Sequence, residues 1–296
     1  MLGGEEELVK RPILSVLACP VSPLYLTREF SAGLIEFSKH NLPVIAMPMA
    51  LSGGTGPVTL AGTLIQHNAE VLASLVLTQV VRKGAPFVYG SCTTAMDLRR
   101  AQCCTGSVEH SVFTAATARL ARYYNVPYMG PGCWTDSKAN DLQAGFEHAF
   151  SALLPALAGA NLMFGGGCIA GGRVADYAGL VADNDLFGMI QFALKGIPLS
   201  SVDMAVDVIR EIGPRGEYVT HPHTYEHMRR SQFWPEYCNR DSIQGWEADG
   251  SKTMDEITWE KAKMLLDNPV EHPLPEKTVE RMEDIIVECE KELGIK

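Results

Sequence analysis

The sequence has fewer basic than acidic residues, which argues against nonspecific binding to nucleic acid but leaves a local basic patch open. Its 25 lysines and arginines are outnumbered by 35 aspartates and glutamates, which gives a formal net charge of -10 at pH 7 and a pI near 5.3. A negatively charged chain repels the phosphate backbone, and no basic arm is present to overcome that repulsion. We therefore expect no nucleic-acid partner.

The sequence also lacks the features of secreted, membrane-embedded and disulfide-rich proteins. Residues 1–10 contain no secretory leader, the eight cysteines follow no regular spacing, and no uninterrupted apolar run reaches the roughly 18 residues of a membrane helix. These absences favour a reducing cytoplasm, no membrane association and no disulfides. The adjacent Cys103 and Cys104 come without a CxxC or HxC motif, so a structural role is favoured over zinc binding.

Short motifs for phosphate and metal binding are absent or incomplete. The loop Ser52–Pro57, SGGTGP, matches neither GxGxxG nor GxxxxGK[ST], which favours a tight turn beside another ligand over a phosphate cradle. His221 and His223 have the i, i+2 spacing of a strand face, and His227 follows on a predicted helix. Since no HExxH or third clustered acidic ligand accompanies them, capping or substrate contact is favoured over a metal site.

A repeated unit is present in the first two thirds of the chain: an apolar run, a loop rich in Gly, Pro, Ser or Thr, and a helical segment. In one example Val44–Met47 is predicted to be a strand, Gly53 and Gly54 belong to a tight turn, and a helix begins near Thr59. Strands that alternate with helices predict a parallel sheet, either a barrel or an open doubly wound sheet. Similar apolar runs lie in residues 12–20, 84–92, 125–133 and 160–168.

The number of predicted strands falls short of a closed (β/α)8 barrel, which needs eight. Five strands are clear and a sixth, Glu217–Thr220, is weak. We predict an α/β, TIM-barrel-like domain over residues 1–221, in which either some strands escape detection or the barrel is incomplete at its N-terminus. A charge-rich C-terminal helical extension is predicted over residues 222–296. The predicted helices are Thr27–His40, Thr59–Val81, Val108–Tyr123, Lys138–Leu157, Asp176–Leu194, Ser201–Ile212, Glu256–Leu266 and Glu276–Leu293.

Candidate site residues follow the predicted strands, because parallel α/β proteins carry their working residues at the carboxyl ends of strands. Trp134, Asp136 and Lys138 follow one strand directly and offer an aromatic ring, a carboxylate and an ammonium group, which suit a charged small molecule. The alternative is that Asp136 or Ser137 only caps the next helix.

The segment GGGCIAGGR at residues 165–173 brings the backbone close to a neighbouring group after another predicted strand. Packing within the protein and close approach to a planar cofactor or substrate are equally compatible with it. The glycines concerned are Gly165, Gly166, Gly167, Gly171 and Gly172.

Seven segments, spread over nearly the whole chain, form a recognisable set. They are PVSPL at 20–24, GGTGPVTLAGTLIQHNAE at 53–70, DLR from Asp97, ARYYNVP at 121–127, TDSKANDLQAGFE at 135–147, GANLMFGGG at 159–167 and THPHTYEHMRR at 220–230. With this set the chain resembles the trimethylamine methyltransferase superfamily of corrinoid-dependent amine methyltransferases. The resemblance implies a TIM barrel that transfers a methyl group from a methylated amine to the Co(I) of a corrinoid carried by a partner protein.

Pyrrolysine distinguishes members of that superfamily. Those that use it carry its electrophilic ring, proposed to bind the amine, in the loop that corresponds roughly to Cys168–Gly172. This sequence has only standard residues there, including Ala170, Gly171 and Gly172. It therefore resembles the members without pyrrolysine, which use quaternary amines such as glycine betaine. A quaternary nitrogen already carries its charge, so no protein electrophile is required.

The resemblance also implies roles for the candidate residues. The expected catalytic residues are Asp136, Tyr89 and Trp134, whose rings and charge would hold the substrate cation. The residues expected to contact the rest of the substrate are Phe164, Arg173, His221 and His223, the last three through a carboxylate. The glycines expected to approach the corrinoid are Gly53, Gly54, Gly165, Gly166, Gly167, Gly171 and Gly172. No metal bound by the chain itself is expected, and a homo-oligomer is left open.

Two other interpretations are compatible with the sequence. Because members of the superfamily are longer at the N-terminus, the chain would be a noncatalytic or split-subunit fragment that needs an N-terminal partner, and its open sheet would expose a pairing edge. A TIM-barrel enzyme unrelated to cobalamin, acting on a phosphorylated or carboxylated metabolite, is the third interpretation. The missing phosphate and metal motifs count against it.

Overall fold

The computed structural model describes residues 5–269 and 274–295 as a mixed α/β fold. The strands are β1 (Val16–Ala18), β2 (Val44–Ala46), β3 (Leu51–Ser52), β4 (Phe87–Gly90), β5 (Thr94–Asp97), β6 (Gln102–Cys104), β7 (Tyr128–Pro131), β8 (Leu162–Phe164), β9 (Cys168–Ile169) and β10 (Val174–Ala175). The helices are α1 (Glu5–Lys10), α2 (Arg28–Lys39), α3 (Leu60–Val81), α4 (Val108–Tyr123), α5 (Leu142–Ala158), α6 (Tyr177–Leu194), α7 (Ser201–Met204), α8 (Val206–Ile212), α9 (Pro222–Ser231), α10 (Ile243–Ala248), α11 (Met254–Asp267) and α12 (Glu276–Glu292).

Five strands form one parallel sheet in the order β1-β2-β4-β7-β8, which is also their order along the chain. Val16 pairs with Val44 at one edge, and Pro131 pairs with Phe164 at the other. A doubly wound sheet reverses its strand order at a switch point, and these five strands show no reversal. The predicted parallel sheet is confirmed, and its order is that of a singly wound βα repeat.

The connecting helices lie side by side on one face of this sheet, where α2 packs on α3, α3 on α4, α4 on α5 and α5 on α6. Right-handed connections between neighbouring parallel strands require this one-sided arrangement. On the opposite face Ile45 is buried, whereas Leu17 and Leu162 on the edge strands are 49% and 54% exposed. The core beneath the helices includes Ala18, Leu34, Val44, Ala46, Val71, Phe87, Tyr89 and Tyr128.

Two smaller sheets lie beyond the carboxyl ends of the main strands. Strands β3, β5 and β6 form one of them, and β9 pairs with β10 in an antiparallel hairpin. The sequence did not predict these strands, because two to four residues are too few to show the period-2 pattern of a strand.

Helix α3 is long and apolar enough to cross a membrane on length and composition alone. In this structure it packs between α2 and α4. Its buried face is largely polar and its exposed face carries Ile65, Val76 and Val80, the reverse of an ordinary surface helix. The polar residues buried along it are Thr63, His67, Glu70, Ser74 and Thr78.

The predicted weak strand at Glu217–Thr220 is wrong. The Tyr218 carbonyl accepts hydrogen bonds from the His221 amide at 3.1 Å and from the Thr224 hydroxyl at 2.6 Å. These bonds turn the chain directly into α9, which starts with Pro222 in its first turn. The segment therefore forms the turn that precedes α9 and does not belong to a sheet.

Most predicted helix bounds lie within two residues of the observed ones, and two predicted helices depart further. The predicted helix Ser201–Ile212 is interrupted at Ala205, which has a left-handed φ of 49°. Helix α5 begins four residues later than predicted, because Asp141 is the N-cap and accepts from the Ala144 amide at 3.0 Å. The cap role considered for Asp136 or Ser137 is therefore wrong.

The described part of the C-terminal segment is helical. It contains α9 to α12, and α11 packs on α6. Residues 270–273 and 296, which fall within the predicted extension, lie outside the described residues. The boundary near residue 221 stays a prediction.

Candidate active site

The ends of β7 and β8 bring two predicted site segments together. The chain leaves β7 at Pro131 and reaches Trp134, and it leaves β8 at Phe164 to enter residues 165–175, here called the glycine hairpin. Trp134 and Cys168 form an isolated parallel bridge, so the two segments run side by side beyond the sheet. This is the edge at which parallel α/β proteins bind their ligands.

Aromatic rings on two sides fix the partly buried indole of Trp134. His110 lies parallel to it with ring centroids 5.6 Å apart, and Phe164 meets it edge to face at 5.8 Å. Gly165 completes the enclosure, because a Cβ atom there would lie 2.1 Å from Nε1 of Trp134. The indole is therefore enclosed by the rings of His110 and Phe164 and by the backbone of Gly165.

The carboxylate of Asp136 holds a neighbouring loop. Its Oδ1 accepts from the Thr105 amide at 3.0 Å and from the Thr105 hydroxyl at 3.1 Å, and Oδ2 accepts from the Gly106 amide at 3.1 Å. Glu147 in turn accepts from the Asp136 amide at 2.7 Å. Asp136 thus both anchors the loop after β6 and places a carboxylate two residues beyond Trp134.

The glycine hairpin lies over this carboxylate. The amides of Ala170 and Gly171 donate to the carbonyls of Ser137 at 2.6 Å and Thr135 at 2.8 Å. A Cβ atom on Gly171 would lie 3.6 Å from Oδ1 of Asp136. The hairpin is therefore tied by its backbone to the segment that carries Trp134 and Asp136.

Both explanations for the glycines of the hairpin have structural support, at different positions. Gly165–Gly167 face other protein groups, and a Cβ atom on any of the three would come within 3.3 Å of a neighbour. Gly171 and Gly172 have left-handed φ angles of 72° and 76°, and a Cβ atom would meet nothing closer than 3.6 Å. The first three glycines serve packing, whereas the hairpin tip leaves space beside it.

Arg173 is exposed at the hairpin tip, and its charge acts on Cys103 together with that of Asp136. Burial raises the pKa of the Cys103 thiol to about 11, Asp136 adds to the rise, and Arg173 opposes it. Near neutral pH the thiol is therefore protonated and a poor nucleophile. Arg173 offers an exposed guanidinium at the hairpin tip that can bind a carboxylate.

Two fully buried histidines meet at Thr93. Nδ1 of His110 lies 3.2 Å from the Thr93 carbonyl, which can only accept, so Nδ1 carries the proton. Nδ1 of His67 lies 2.7 Å from the Thr93 hydroxyl. Burial lowers the pKa of His110 to about 4 and that of His67 to about 3, so both rings are neutral near pH 7. In the part of the chain that the structure describes, Nε2 of both histidines and Nε1 of Trp134 have no hydrogen-bond partner.

Tyr89 lies in the core, on the side of β4 that faces the helices. It is 1% exposed, its hydroxyl donates to Asn68 Oδ1 at 3.0 Å, and its ring stacks on Tyr124 with centroids 6.3 Å apart. Burial raises the pKa of the hydroxyl. The sequence analysis expected Tyr89 to share a site with Trp134. The structure instead places Tyr89 in the core, away from that indole.

His221 and His223 also lie apart from Trp134. His221 is the N-cap of α9, and its Nδ1 accepts from the His223 amide at 3.1 Å, so the expected strand spacing is wrong. His223 lines a cavity of about 500 Å³ with Lys195, just beyond the carboxyl end of α6. Since the 18 residues of α6 begin at Tyr177 beside the glycine hairpin and span about 27 Å, the two histidines belong to the far end of that helix.

The backbone amides of the turn at Gly53 and Gly54 donate to carbonyl groups of the same turn. The amides of Gly54, Thr55 and Gly56 all donate to the Leu51 carbonyl at 2.9 Å, and the Gly53 amide donates to the Gly56 carbonyl at 3.1 Å. Amides that are already bonded cannot cradle a phosphate. The structure supports the tight turn that the sequence favoured.

The sequence did not point to His110 or Glu147. It also did not point to the buried pair in which Nδ1 of His148 lies 2.8 Å from Oδ1 of Asp183. Glu147 ends one of the recognised segments, which was a signal for its contact with Asp136. The histidines sit inside helices whose sequence does not reveal which faces are buried. Within residues 5–269 and 274–295, no group of three or more His, Cys, Asp or Glu is arranged to hold a metal ion.

The fold is that of a parallel α/β protein, and Trp134, Asp136 and Arg173 follow its strands at the carboxyl edge, where such proteins bind ligands. The family model described as Trimethylamine methyltransferase (MTTB) matches residues 1–294. The chain therefore belongs to this family, and the resemblance inferred from the motifs is confirmed.

Several curated proteins are similar to the chain over almost its full length. A trimethylamine methyltransferase of Desulfitobacterium hafniense (strain DSM 10664 / DCB-2) is 41% identical over 99% of the chain, and one of Methanosarcina barkeri (strain Fusaro / DSM 804) is 38% identical over 98%. A glycine betaine methyltransferase of Desulfitobacterium hafniense (strain Y51) is 30% identical over 99%. The chain spans 59%, 58% and 61% of these three relatives, respectively.

Proposed function

We propose that the chain binds a quaternary or tertiary methylated amine, such as glycine betaine, and transfers one methyl group to the Co(I) of a corrinoid protein. The observation that carries this proposal is the enclosed indole of Trp134 beside the carboxylate of Asp136, in a chain that belongs to the trimethylamine methyltransferase family. The names of the relatives support a methylated amine as the methyl donor.

The site offers the groups that a betaine requires. A quaternary ammonium ion is attracted to an aromatic ring by about 0.5–2 kcal/mol, and Trp134 and Phe164 supply rings. Asp136 supplies a negative charge. At the hairpin tip the guanidinium of Arg173 supplies a positive charge for a substrate carboxylate. Opposite charges on the two sides of one site would orient a zwitterion.

The methyl acceptor is a second substrate, carried by its own protein. Co(I) provides an electron pair to the methyl carbon, and the carbon–nitrogen bond breaks with its pair remaining on nitrogen. Glycine betaine would become dimethylglycine, whose tertiary nitrogen is released without a charge, and the cobalt would become methyl-Co(III). The role of this chain is to hold the amine so that one methyl group faces the acceptor, an effect of proximity and orientation.

The absence of an electrophilic residue from the hairpin tip favours a quaternary donor. Ala170, Gly171 and Gly172 carry no reactive side chain. A tertiary amine such as trimethylamine has a poor leaving group until its nitrogen gains a positive charge, and nothing at the tip supplies one. We therefore infer that glycine betaine or a related quaternary amine is a better substrate than trimethylamine.

A (β/α)8 barrel is the architecture that best extends the observed sheet. Five parallel strands in sequential order, with helices on one face only, are the arrangement of five consecutive barrel units. We infer that further strands would pair with the edges at β1 and β8 to close it. The half-exposed Leu17 and Leu162 at those edges support this inference.

The same edges favour a second candidate function, that of a fragment that works only with a partner that supplies the remaining strands. In that case Trp134 and Asp136 would form a binding site that methylated amines occupy weakly or not at all in the chain alone. Binding to the isolated chain separates the two candidates.

The test is calorimetric titration of the purified chain with glycine betaine and with 3,3-dimethylbutanoate, its carbon isostere, which keeps the carboxylate but lacks the ammonium charge. Both ligands have the same shape and carboxylate, so a difference between them measures recognition of the ammonium charge. The proposal predicts that glycine betaine binds about tenfold or more tightly than the isostere, the equivalent of about 1.4 kcal/mol. Equal affinities would contradict a site for a methylated ammonium ion.

A further inference from the structure

A buried ion pair links α5 to α6 directly behind the glycine hairpin. Nδ1 of His148 lies 2.8 Å from Oδ1 of Asp183, and the two side chains are only 6% and 4% exposed. Each partner also binds the hairpin backbone. Oδ2 of Asp183 accepts from the Gly167 amide at 2.7 Å, and Nε2 of His148 lies 3.1 Å from the Cys168 carbonyl.

The partners of His148 determine its protonation. A carbonyl oxygen can only accept, so Nε2 carries a proton, and Nδ1 donates its own proton to the Asp183 carboxylate. Burial lowers the pKa of His148, but the hydrogen bond and charge of Asp183 outweigh burial and raise it. The imidazolium and the carboxylate therefore complete a closed ring of hydrogen bonds with two consecutive residues, Gly167 and Cys168.

This ring is placed where it can set the position of the proposed site. Cys168 forms a β-bridge with Trp134. The amides of Ala170 and Gly171 donate to the carbonyls of Ser137 and Thr135, on either side of Asp136. The hairpin is thus held from behind by His148 and Asp183 and from the front by the segment that carries Trp134. The cavity that His148 and Asp183 line lies between α5, α6 and α11, and Trp134 is not among its lining residues.

We propose that His148 and Asp183 are positioning residues that fix the glycine hairpin over Trp134 and Asp136 and thereby determine the affinity for the methylated amine. The choice of a methylated amine as the ligand rests on the proposed function, whereas the contacts of His148 and Asp183 with the hairpin do not depend on it. Its physical basis is that a tip of left-handed residues such as Gly171 and Gly172 has wide conformational freedom unless its base is fixed.

The chain offers a set of variants that separates positioning from general stability. Asp183→Asn keeps the ring: its amide oxygen accepts from Gly167, its amide nitrogen donates to Nδ1 of a neutral His148, and Nε2 still donates to Cys168. Asp183→Ala removes the ring. The matched control is Asp185→Ala, on the same helix.

Asp185 is a suitable control because it is also a buried carboxylate with backbone donors. It accepts from the amides of Glu236 at 3.0 Å, Tyr237 at 3.0 Å and Cys238 at 3.4 Å. It therefore holds the segment after α9 and not the glycine hairpin. Loss of either carboxylate leaves buried donors unpaired and should destabilise the fold to a similar extent.

The experiment measures two quantities for each folded variant: amide hydrogen exchange of residues 165–172 in the free protein, and calorimetric affinity for glycine betaine. Asp183→Ala should speed the exchange by about tenfold and weaken binding by about tenfold, since it removes buried hydrogen bonds that the fixed hairpin makes and the opened hairpin lacks. Asp183→Asn should stay within about twofold of the natural chain in both, and Asp185→Ala should match the natural chain in both despite its lower melting temperature.

The two readouts also separate this proposal from the proposed function. If Asp183→Ala changes exchange no more than Asp185→Ala does, the positioning role is overturned. It is also overturned if exchange rises but affinity for glycine betaine does not fall. If the natural chain binds no methylated amine, the proposed function fails, and the exchange comparison alone decides whether the pair holds the hairpin.

Discussion

The imidazole of His110 lies parallel to the indole of Trp134, with ring centroids 5.6 Å apart and planes inclined by 6°. One residue comes from the first turn of α4 and the other from the segment after β7, so the stack joins two successive βα units. Because the Nδ1 proton of His110 is bound to the Thr93 carbonyl, the ring cannot turn without losing a buried hydrogen bond. Trp134 is thereby held by a neutral ring that does not compete with a substrate cation.

Replacing Trp134 by alanine should weaken the binding of glycine betaine by about tenfold, since a desolvated cation–π contact contributes about 1–2 kcal/mol. Calorimetric titration measures the change. The control is Trp234→Ala, because Trp234 is 60% exposed and lies outside the site. If both variants bind as the natural chain does, Trp134 is not part of the cation site.

Replacing Asp136 by alanine should lower both affinity and stability. The substitution leaves the amides of Thr105 and Gly106 without their acceptor, which should cost about 1–3 kcal/mol of unfolding free energy. Urea unfolding measures the loss, with Asp207→Ala as the control, because the Asp207 side chain is almost fully exposed. Equal midpoints for the two variants would show that Asp136 does not anchor the loop.

Replacing Gly165 by alanine should disrupt the site, because the new Cβ atom would lie 2.1 Å from Nε1 of Trp134 and the residue has a φ of 115°. We expect displacement of the indole, seen as a change in near-ultraviolet circular dichroism, and a loss of affinity. Gly145→Ala is the control, since it lies inside α5 with nothing within 4 Å of the new atom. If the near-ultraviolet circular dichroism of Gly165→Ala matched that of the natural chain, the enclosed geometry of Trp134 would be contradicted.

Acid should destabilise the fold through His110 and His67. Their pKa values are lowered by burial to about 4 and about 3, from 6.5. Each ring therefore contributes stability that is full above pH 6.5 and is lost as the pH falls toward the folded value. Between about pH 7.5 and about pH 5 each should cost about 2 kcal/mol of unfolding free energy.

The variant His110→Phe keeps an aromatic ring against Trp134 and removes one of the two titrations. Urea unfolding at both pH values should therefore show a smaller acid loss for this variant than for the natural chain. An unchanged loss would mean that His110 is not buried in its neutral form.

His148 should show the opposite pH dependence. Its pKa is raised despite burial because of the hydrogen bond and charge of Asp183, with a further contribution from Glu147. The stability that it contributes is therefore full below about pH 6.5 and lost as the pH rises through the higher folded value. The difference in unfolding free energy between the natural chain and Asp183→Asn should shrink from pH 6 to pH 9. A constant difference would contradict an imidazolium at this position.

The main architecture could be predicted because each unit carries a local signal. Helix α4 was predicted with its observed bounds, and the structure adds its cap, Ser107, which accepts from the His110 amide at 3.2 Å. The five main strands are apolar runs that enter loops of small residues. The predicted TIM-like barrel is not shown by the five-stranded sheet, because the apolar pattern of a strand does not reveal which strands pair at the edges.

The site was only partly predictable, because side-chain direction depends on tertiary structure. Trp134, Phe164 and the glycine hairpin do meet, as their positions after neighbouring parallel strands suggested. Tyr89 points to the helices instead. This direction could not be predicted, because β4 is apolar on both faces and its sequence does not show which face meets the helices. His148 and Asp183 are 35 residues apart in sequence, and no local pattern connects them.

The proposed activity of this chain is the transfer of a methyl group from a methylated amine to Co(I). The most direct measurement follows the visible spectrum of a Co(I) corrinoid after the folded chain is mixed in turn with trimethylamine, glycine betaine, proline betaine and carnitine. The account predicts conversion to methyl-Co(III) with at least one quaternary amine and slower or no conversion with trimethylamine. No conversion with any of the four, by protein that binds glycine betaine in the calorimeter, would contradict it.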